Sequence, residues 1–436
     1  MFDAGAETLS RDRLSALQLA RLRRTLGRAK RVPLHARRLA QAGFESRALR
    51  SLEDLRKLPF TVKDDLRAQY PFGMLSAPLE SMARLHASSG TTGKPTVVGC
   101  TARDVATWAG LMARSMACAG VRRGELVHNA YGYGLFTGGL GAHYGAEALR
   151  CPVVPMSGGN TEKQVTLLAD FGARVLCSTP SYSLAIAEEA RRQGVDLHAR
   201  GLRLGLFGAE PWSEAMREEI QSQLGLVARD VYGLSEIMGP GVAIECEAGP
   251  CGLHGWEDHF IFEVIDPETG QPVPEGRSGE LVITTLTREA MPMIRYRTRD
   301  ITRVTTKPCA CGRTHLRLQR ITGRSDDMLI IRGVNVYPSQ IEAVLVGMAE
   351  LAPHYLLVVD REGRLDRLTI EVELDSAAAL ATDRHAALAA EIGHHVKSMV
   401  GVTAAVTLRA PGEIERSAGK AVRVRDLRRA SAPRAG

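Results

Sequence analysis

The sequence predicts an α/β fold built from two domains, and two observations support this prediction. Between residues 111 and 237, helix-like apolar stretches alternate with short strand-like runs such as 175–178 and 202–207. That alternation is typical of an α/β core with largely parallel sheets. The chain of 436 residues is longer than one hydrophobic core usually supports, and its apolar content of 44% is enough to bury two.

The remaining elements follow from local patterns. Residues 9–43 carry Leu, Ala and Arg at helical spacing, and residues 260–266 and 279–286 read as strands around a turn-forming PETGQPVPEGRSG segment. A second unit begins after residue 323. It alternates again: an element at 327–332, a helix at 338–348, strands at 355–359 and 367–374, a helix at 377–400, and a basic tail, RRASAPRAG, expected to be disordered.

Composition excludes several classes of protein. The net charge is +7, but Lys and Arg are spread along the chain and aromatic residues make up only 5%, so no nucleic-acid stacking platform is visible. Anionic small-molecule ligands and a merely solvated basic surface explain the charge equally well. No apolar run is long enough to span a membrane and no secretory signal is evident, so we expect a cytoplasmic protein that binds no membrane.

A phosphate-binding loop is predicted at residues 88–95, which read SSGTTGKP. Its glycines allow the backbone to approach anionic oxygens closely, while Ser, Thr and Lys side chains add donors, so a nucleoside triphosphate is the first ligand to consider. The P-loop pattern needs four residues between its glycines and a hydroxyl after the lysine. Here the spacing is shorter and Pro95 follows Lys94, so a P-loop ATPase is disfavoured, although an ordinary flexible loop stays open.

Further motifs follow this loop in a fixed order: YGLSE at 232–236, YRTRD at 296–300, GRSDD at 323–327, IRGVN at 331–335 and a late GK at 419–420. The order resembles the adenylate-forming superfamily of acyl-CoA synthetases. GAEPW at 208–212, WEDHF at 256–260, MPMIRYRTRD at 291–300 and ITGRSDDMLIIRGVNVYPSQIE at 321–342 look like the phenylacetate-CoA ligase family. The resemblance spans almost the whole chain.

The resemblance implies a large N-terminal adenylate-forming domain with mixed sheets and helices over 1–323, and a hinge at 324–327. A small, mobile C-terminal α+β domain over 328–428 and a disordered tail over 429–436 follow. It also implies that ATP, Mg²⁺ and coenzyme A serve an aryl-carboxylate ligation through an acyl adenylate. Such chemistry suits a carboxylate, which is a poor acyl donor until it is joined to the α-phosphate of ATP.

By the same resemblance, Lys420 is the catalytic adenylation lysine, Arg324 contacts phosphate and Asp326 is the hinge residue. Tyr232 faces the adenine ring, Glu236 coordinates magnesium, and Asp300 accepts the ribose hydroxyls, a role that suits a carboxylate. Without the resemblance, the ordinary interpretation is that Lys420 lies on the solvated surface, that Asp300 forms a salt bridge and that Tyr232 packs in the core. The full nucleotide-binding set is Ser88, Ser89, Gly90, Thr91, Thr92, Gly93, Lys94, Gly208, Ala209, Glu210, Tyr232, Gly233, Asp300 and Arg324.

Tyr131, Tyr133 and Phe136 lie in a glycine-containing stretch whose composition suits a flat pocket for an aromatic ring, although the same residues also make good packing material. The resemblance adds Ala209 and Ile237. Phenylacetate, benzoate, anthranilate and hydroxylated aryl acids all stay open as substrates.

Two cysteine clusters suggest a metal site. Cys309 and Cys311 lie on one turn with His315 nearby, while Cys246, Cys251 and His254 form an earlier group. Three thiolates and one imidazole complete a tetrahedral zinc site, against the alternative of reduced, unliganded thiols. The resemblance selects Cys246, His254, Cys309 and Cys311, with Cys251 and His315 as spare candidates. Four protein ligands leave no position for substrate, so the zinc would be structural.

Two alternatives to the ligase remain. One keeps adenylation but passes the acyl group to an acyl carrier protein or an amine. The other is a non-catalytic, zinc-stapled nucleotide-binding protein, which would have lost its lysine or phosphate loop; neither is missing from the sequence. The oligomeric state is open, with a homodimer as one option.

Overall fold

A computed structural model describes residues 1–44, 49–88, 95–325, 328–332, 334–362, 365–375, 384–416 and 421–429. The predicted helical segment at 9–43 forms two helices, and side-chain caps mark several helix starts. Ser10, Thr101, Thr179 and Ser213 each accept a hydrogen bond from a backbone N–H of the first turn. The N-terminal helices are α1 (Ala4–Glu7), α2 (Arg11–Ala29), α3 (Pro33–Gln41), α4 (Lys63–Ala68), α5 (Ala102–Ala119), α6 (Thr137–Ala148), α7 (Thr161–Asp170), α8 (Pro180–Gln193) and α9 (Glu214–Leu224).

The strands of the N-terminal unit include all of those predicted, within two residues at each end. They are β1 (Met82–Ser88), β2 (Thr96–Thr101), β3 (Val127–Asn129), β4 (Val153–Val154), β5 (Val175–Ser178), β6 (Leu204–Gly208), β7 (Val227–Leu234), β8 (Gly239–Glu245), β9 (Leu253–Gly255), β10 (Phe260–Ile265), β11 (Gly279–Thr285), β12 (Tyr296–Thr302), β13 (Val304–Thr305), β14 (Arg317–Leu318) and β15 (Gly323–Arg324). Short 3₁₀ turns occupy Leu52–Lys57 and Leu79–Ser81.

The central sheet has the strand order β13-β14-β9-β8-β7-β6-β5-β3-β4. Pairing is parallel from β4 through β7 and antiparallel from β7 through β13. The expectation of largely parallel sheets therefore holds for only one half of this sheet. The reason is local: β8 begins five residues after β7, too soon for the helical crossover that a parallel pair requires.

Both faces of the parallel half are covered by helices. Along β5, Val175 and Cys177 belong to the apolar cluster that includes residues of α5 and α6, whereas Leu176 belongs to the cluster built with α7, α8 and α9. Alternate side chains of a strand point to opposite faces, so the apolar run 175–178 serves both cores. Separate antiparallel sheets join β1 to β2 and order β10-β11-β12-β15.

The C-terminal unit contains β16 (Leu329–Ile331), β17 (Val334–Val336), α10 (Pro338–Leu345), β18 (Leu351–Glu362), β19 (Leu365–Leu374), α11 (His385–Val400), β20 (Ala405–Arg409), β21 (Val424–Asp426) and a 3₁₀ turn at Leu427–Arg429. The hairpin β16-β17 lies beside a sheet ordered β20-β19-β18-β21. These strands share an apolar cluster with α10 and α11 that is separate from the clusters of the N-terminal unit. The predicted small α+β unit is confirmed.

Candidate active site

The carboxyl ends of β3, β5, β6 and β7 lie at one edge of the parallel half-sheet. In open α/β sheets, ligands bind beside this edge. The segments that leave it carry three groups of predicted site residues: 131–136 after β3, 208–210 at the end of β6, and 232–237 at the end of β7. The topology therefore gathers residues that are distant in the sequence.

The segment at the end of β6 has a tightly constrained backbone. A Cβ on Gly208 would come within 2.1 Å of the Val231 carbonyl oxygen, so only glycine fits there. Ala209 adopts φ of +74°, a left-handed conformation that non-glycine residues seldom take. The Glu210 carboxylate accepts hydrogen bonds from the backbone N–H groups of Ser181 and Ala421, each at 2.8 Å. Ala421 belongs to the C-terminal unit, so Glu210 links the two units.

Tyr232, Asp300 and Arg324 form one hydrogen-bonded group. The Tyr232 hydroxyl donates to Asp300 Oδ2 at 2.6 Å, and Arg324 Nη1 lies 3.2 Å from Asp300 Oδ1. Asp300 and Arg324 are register partners in the β12-β15 pair. Burial first, and then the charge of Asp300, raise the pKa of Tyr232 well above its ordinary value. The hydroxyl therefore keeps its proton and orients the carboxylate.

The alternative role for Asp300 was a salt bridge with the arginines that precede it in the YRTRD motif. Those arginines pair elsewhere: Arg297 and Arg299 both contact Glu280, while Asp300 forms an ion pair with Arg324. The bulge after Tyr232 needs Gly233, because a Cβ there would lie 1.8 Å from the Gly239 carbonyl oxygen.

Several predicted residues fall outside the part of the chain that the structure describes: Ser89, Gly90, Thr91, Thr92, Gly93, Lys94, Asp326 and Lys420. The strands that flank the glycine-rich loop are described. Ser88 ends β1 and pairs in register with Thr96 of β2. The hydroxyl oxygens of both are buried, and neither has a hydrogen-bond partner among the residues placed by the structure.

Four of the five residues predicted to line an aromatic pocket fall into two groups, and the fifth, Ala209, lies at the end of β6 as described above. Tyr131 and Ile237 are buried in the main apolar cluster, and the Tyr131 hydroxyl donates to the Leu206 carbonyl at 3.2 Å. Tyr133 and Phe136 are half-buried. The Tyr133 hydroxyl accepts from Asn129 Nδ2 at 2.7 Å, and burial raises the pKa of Tyr133 to about 12. The geometry favours Tyr133 and Phe136 as the more accessible pair, and a substrate contact by any of these residues stays a prediction.

The loop that carries Glu236 is organised by a residue that sequence reasoning missed. The fully buried Arg288 donates to the carbonyls of Ser235, Glu236 and Ile237. These bonds involve only the main chain of Glu236. Its carboxylate is also buried, and Glu236 Oε1 lies 3.7 Å from Lys63 Nζ. No pattern in one sequence marks Arg288 or Lys63 as partners of this loop, because both are remote from it along the chain.

Three cysteines and one histidine form a compact donor cluster: Cys246, His254, Cys309 and Cys311, with ligand atoms all within 4.8 Å of one another. Cys246 Sγ lies 3.8 Å from Cys309 Sγ, and Cys311 Sγ lies 3.3 Å from His254 Nε2. These are the four residues that the resemblance selected. The cluster connects the end of β8 and strand β9 to the loop before β14.

The two spare candidates differ from each other. His315 uses both ring nitrogens, because Nδ1 accepts from the Glu257 N–H and Nε2 contacts the Ala6 carbonyl, each at 2.9 Å. Cys251 Sγ, in contrast, lies 3.5 Å from Cys309 Sγ and 3.8 Å from Cys246 Sγ. Its thiol borders the cluster and is the remaining alternative ligand.

Contacts between the two units were also missed. The buried Glu342 of α10 accepts from the Ser213 backbone N–H at 2.9 Å, and Arg416 lies 3.5 Å from Glu188 of α8.

No helix in the described ranges is both long and apolar enough to cross a membrane.

Comparisons with known proteins agree with this architecture. The family model described as AMP-binding enzyme matches residues 32–287, and the model described as AMP-binding enzyme C-terminal domain matches residues 333–428. The phenylacetate-coenzyme A ligase of Thermus thermophilus is 52% identical over 98% of this chain and 100% of its own length. That of Aromatoleum evansii is 53% identical over 97% of this chain and 96% of its own length.

Among solved structures, 2-hydroxyisobutyryl-CoA ligase in the postadenylation state with 2-HIB-AMP has a TM-score of 0.92 at 32% identity, covering 98% of this chain and 92% of that one. The same ligase with CoA in the thioesterification state has a TM-score of 0.72 at 33% identity, covering 97% and 91%. More than half of the chain matches an AMP-binding model, and its identity to full-length relatives exceeds half, so this chain belongs to the phenylacetate-CoA ligase family of AMP-binding enzymes.

Proposed function

We propose that this protein is an AMP-forming acid–thiol ligase that joins an aromatic carboxylic acid to coenzyme A. The observation that carries the proposal is the identity of at least 52% to phenylacetate-coenzyme A ligases over nearly the whole chain. Phenylacetate is therefore the first substrate to test. The carrier-protein and non-catalytic alternatives are not favoured, because these full-length relatives are all coenzyme A ligases.

The reaction has two steps. In the first, a carboxylate oxygen of the acid attacks the α-phosphorus of ATP, and pyrophosphate leaves. In the second, the sulfur of coenzyme A attacks the acyl carbon, the thiol proton is lost to solvent, and AMP leaves with the bonding electrons. The protein contributes positioning and charge stabilisation, which are the main requirements of such transfers.

The Tyr232, Asp300 and Arg324 group supports a nucleoside site. A carboxylate that is oriented by a hydroxyl at 2.6 Å and by a guanidinium at 3.2 Å is a fixed acceptor for ribose hydroxyls. The loop at 88–94 and Arg324 would bind phosphate oxygens, and Lys420 would bridge the acid and the α-phosphate. The buried Glu236 carboxylate suits Mg²⁺, which when bound would neutralise charge on the phosphates.

The cysteine cluster fits a structural zinc ion. With Zn–S bonds of about 2.3 Å and tetrahedral angles, two ligand sulfurs would lie about 3.8 Å apart, and a sulfur and a nitrogen about 3.5 Å apart. The observed separations are 3.8 Å for Cys246 and Cys309, and 3.3 Å for Cys311 and His254. We propose that these four residues bind zinc and fasten the β8–β9 turn to the loop before β14.

We further propose the domain limits given by the resemblance: 1–323, a hinge at 324–327, 328–428 and a tail at 429–436. A hinge there would let the small unit alternate between two poses. The higher TM-score against the postadenylation state, 0.92 compared with 0.72, supports a pose like the former. A carrier-protein partner is not favoured, for the reason given above, and a homodimer stays a prediction.

The decisive experiment measures pyrophosphate and AMP release from ATP with a panel of aryl and aliphatic acids, each with and without coenzyme A. We expect AMP formation that requires an aryl acid and rises with coenzyme A. Pyrophosphate release that ignores coenzyme A would contradict the thiol acceptor, and activity restricted to aliphatic acids would contradict the aryl assignment.

A further inference from the structure

The Glu210 side chain spans the gap between the two units. Its Oε1 accepts from the Ser181 N–H of the N-terminal unit, and its Oε2 accepts from the Ala421 N–H of the C-terminal unit, each at 2.8 Å. Ala421 immediately follows Lys420 in the sequence. The carboxylate therefore holds the main chain directly beside the lysine to which adenylation is assigned.

The N-terminal unit fixes the position of this carboxylate. Glu210 follows Gly208, which cannot accept a side chain, and Ala209, whose φ of +74° sets the direction of the next residue. Ser181 lies in the first turn of α8, a 14-residue helix whose N-cap is Thr179. The positive end of the helix dipole favours a negative charge at this point. Glu210 is thus a preorganised acceptor on a rigid framework.

A second contact mirrors the first. Glu342 of the C-terminal unit accepts from the Ser213 N–H of the N-terminal unit at 2.9 Å, only three residues beyond Glu210. Arg423, two residues after Ala421, reaches Glu342 at 3.8 Å and stacks 4.3 Å over the Tyr355 ring. Each unit therefore supplies a carboxylate to the main chain of the other, and two of the three residues that follow Lys420 contact side chains that belong to this interface.

We propose that Glu210 is a positioning residue for the adenylation step, acting through the main chain of Ala421 to hold Lys420 at the site. The inference rests on the proposed role of Lys420. The contact joins residues of different units, so it exists only while the C-terminal unit is docked in this pose. It assigns Glu210 to the first half-reaction and not to the second.

This role differs measurably from the nucleotide contact that the sequence predicted for Glu210. A nucleotide ligand would change the affinity for ATP when it is removed. A residue whose two carboxylate oxygens each bind a backbone N–H would instead change how often Lys420 is in place, and hence kcat. Measuring KM for ATP and kcat separately in pyrophosphate release therefore distinguishes the two roles.

The experiment compares the full-length enzyme with Glu210→Ala, Glu210→Gln, Lys420→Ala and, as a matched control, Glu218→Gln, which changes an exposed carboxylate on α9. Each protein is assayed for pyrophosphate release from ATP and acid, and separately for thioester formation from supplied aryl adenylate and coenzyme A. We expect Glu210→Ala to lower kcat of the first assay by about 10- to 100-fold, the effect of one charge-assisted hydrogen bond, with KM for ATP unchanged.

Glu210→Gln keeps the side-chain volume and one acceptor oxygen, so it should show a smaller loss and protects the test if the alanine variant does not fold. Thioester formation should be unchanged in both Glu210 variants, and the control should match the parent in both assays. Equal losses in the two half-reactions, or a raised KM for ATP with unchanged kcat, would overturn the proposal. Full adenylation by Lys420→Ala would contradict the role of Lys420 on which the proposal rests, whatever the Glu210 variants show.

Discussion

Replacing Asp300 by asparagine tests the nucleoside site most directly. The carboxylate accepts from the Tyr232 hydroxyl at 2.6 Å and lies 3.2 Å from Arg324 Nη1, so its position is already set before ATP binds. In Asp300→Asn the amide nitrogen cannot accept a hydrogen bond, and at least one ribose hydroxyl loses a charged acceptor. One such bond contributes about 1.5–3 kcal/mol, which corresponds to about 10- to 100-fold weaker ATP binding.

The assay is a cycle with two nucleotides. Binding of ATP and of 2′,3′-dideoxy-ATP is measured by calorimetry for the parent enzyme and for Asp300→Asn, with Asp266→Asn in the β10–β11 turn as a matched control. If Asp300 accepts the ribose hydroxyls, the parent and the control prefer ATP strongly, whereas Asp300→Asn discriminates much less between the two nucleotides. An asparagine variant that keeps the full preference for ATP would refute the assignment.

Three other predictions follow from the site and the core. Lys420→Ala should abolish pyrophosphate release while thioester formation from supplied aryl adenylate persists; equal loss of both would contradict its role. Cys309→Ser should lose about one equivalent of zinc by elemental analysis and melt at a lower temperature, whereas Cys151→Ser, a thiol outside the cluster, should keep the metal. Burial first, and then the charge of Glu245, raise the pKa of Asp230 to about 7, so folding stability should fall as pH rises from about 4 through 7. Asp230→Asn should remove that part of the fall in thermal melts, and a pH profile identical to that of the parent would contradict it.

Local patterns predicted most of the secondary structure. The run at 175–178 became β5 with the same bounds, because an apolar stretch between turn-forming residues has few other options. The sheet directions were harder to predict: β7 and β8 are joined by a short turn, and nothing in the apolar pattern distinguishes that turn from the helical crossovers before it.

The candidate site shows a similar division. Asp300, Arg324 and Tyr232 were proposed one at a time from motifs, and the structure brings them into one hydrogen-bonded group. The role of Arg288 could not be read from sequence, because its partners in this loop are three consecutive carbonyls that any residue types would supply. The motif around Glu210 predicts a nucleotide contact. Its contact with Ala421 could not be predicted, because Ala421 lies 211 positions further along the chain.

The paired carboxylates between the two units also affect how this enzyme can diverge. Glu210 and Glu342 both bind backbone N–H groups, and every residue except proline offers the same N–H. The two contacts themselves therefore make no demand on the side chains at positions 213 and 421, and no compensating pair of substitutions would be selected to keep them. Methods that infer proximity from correlated changes among homologues would overlook these two contacts, whereas a proline introduced at either position should reveal them.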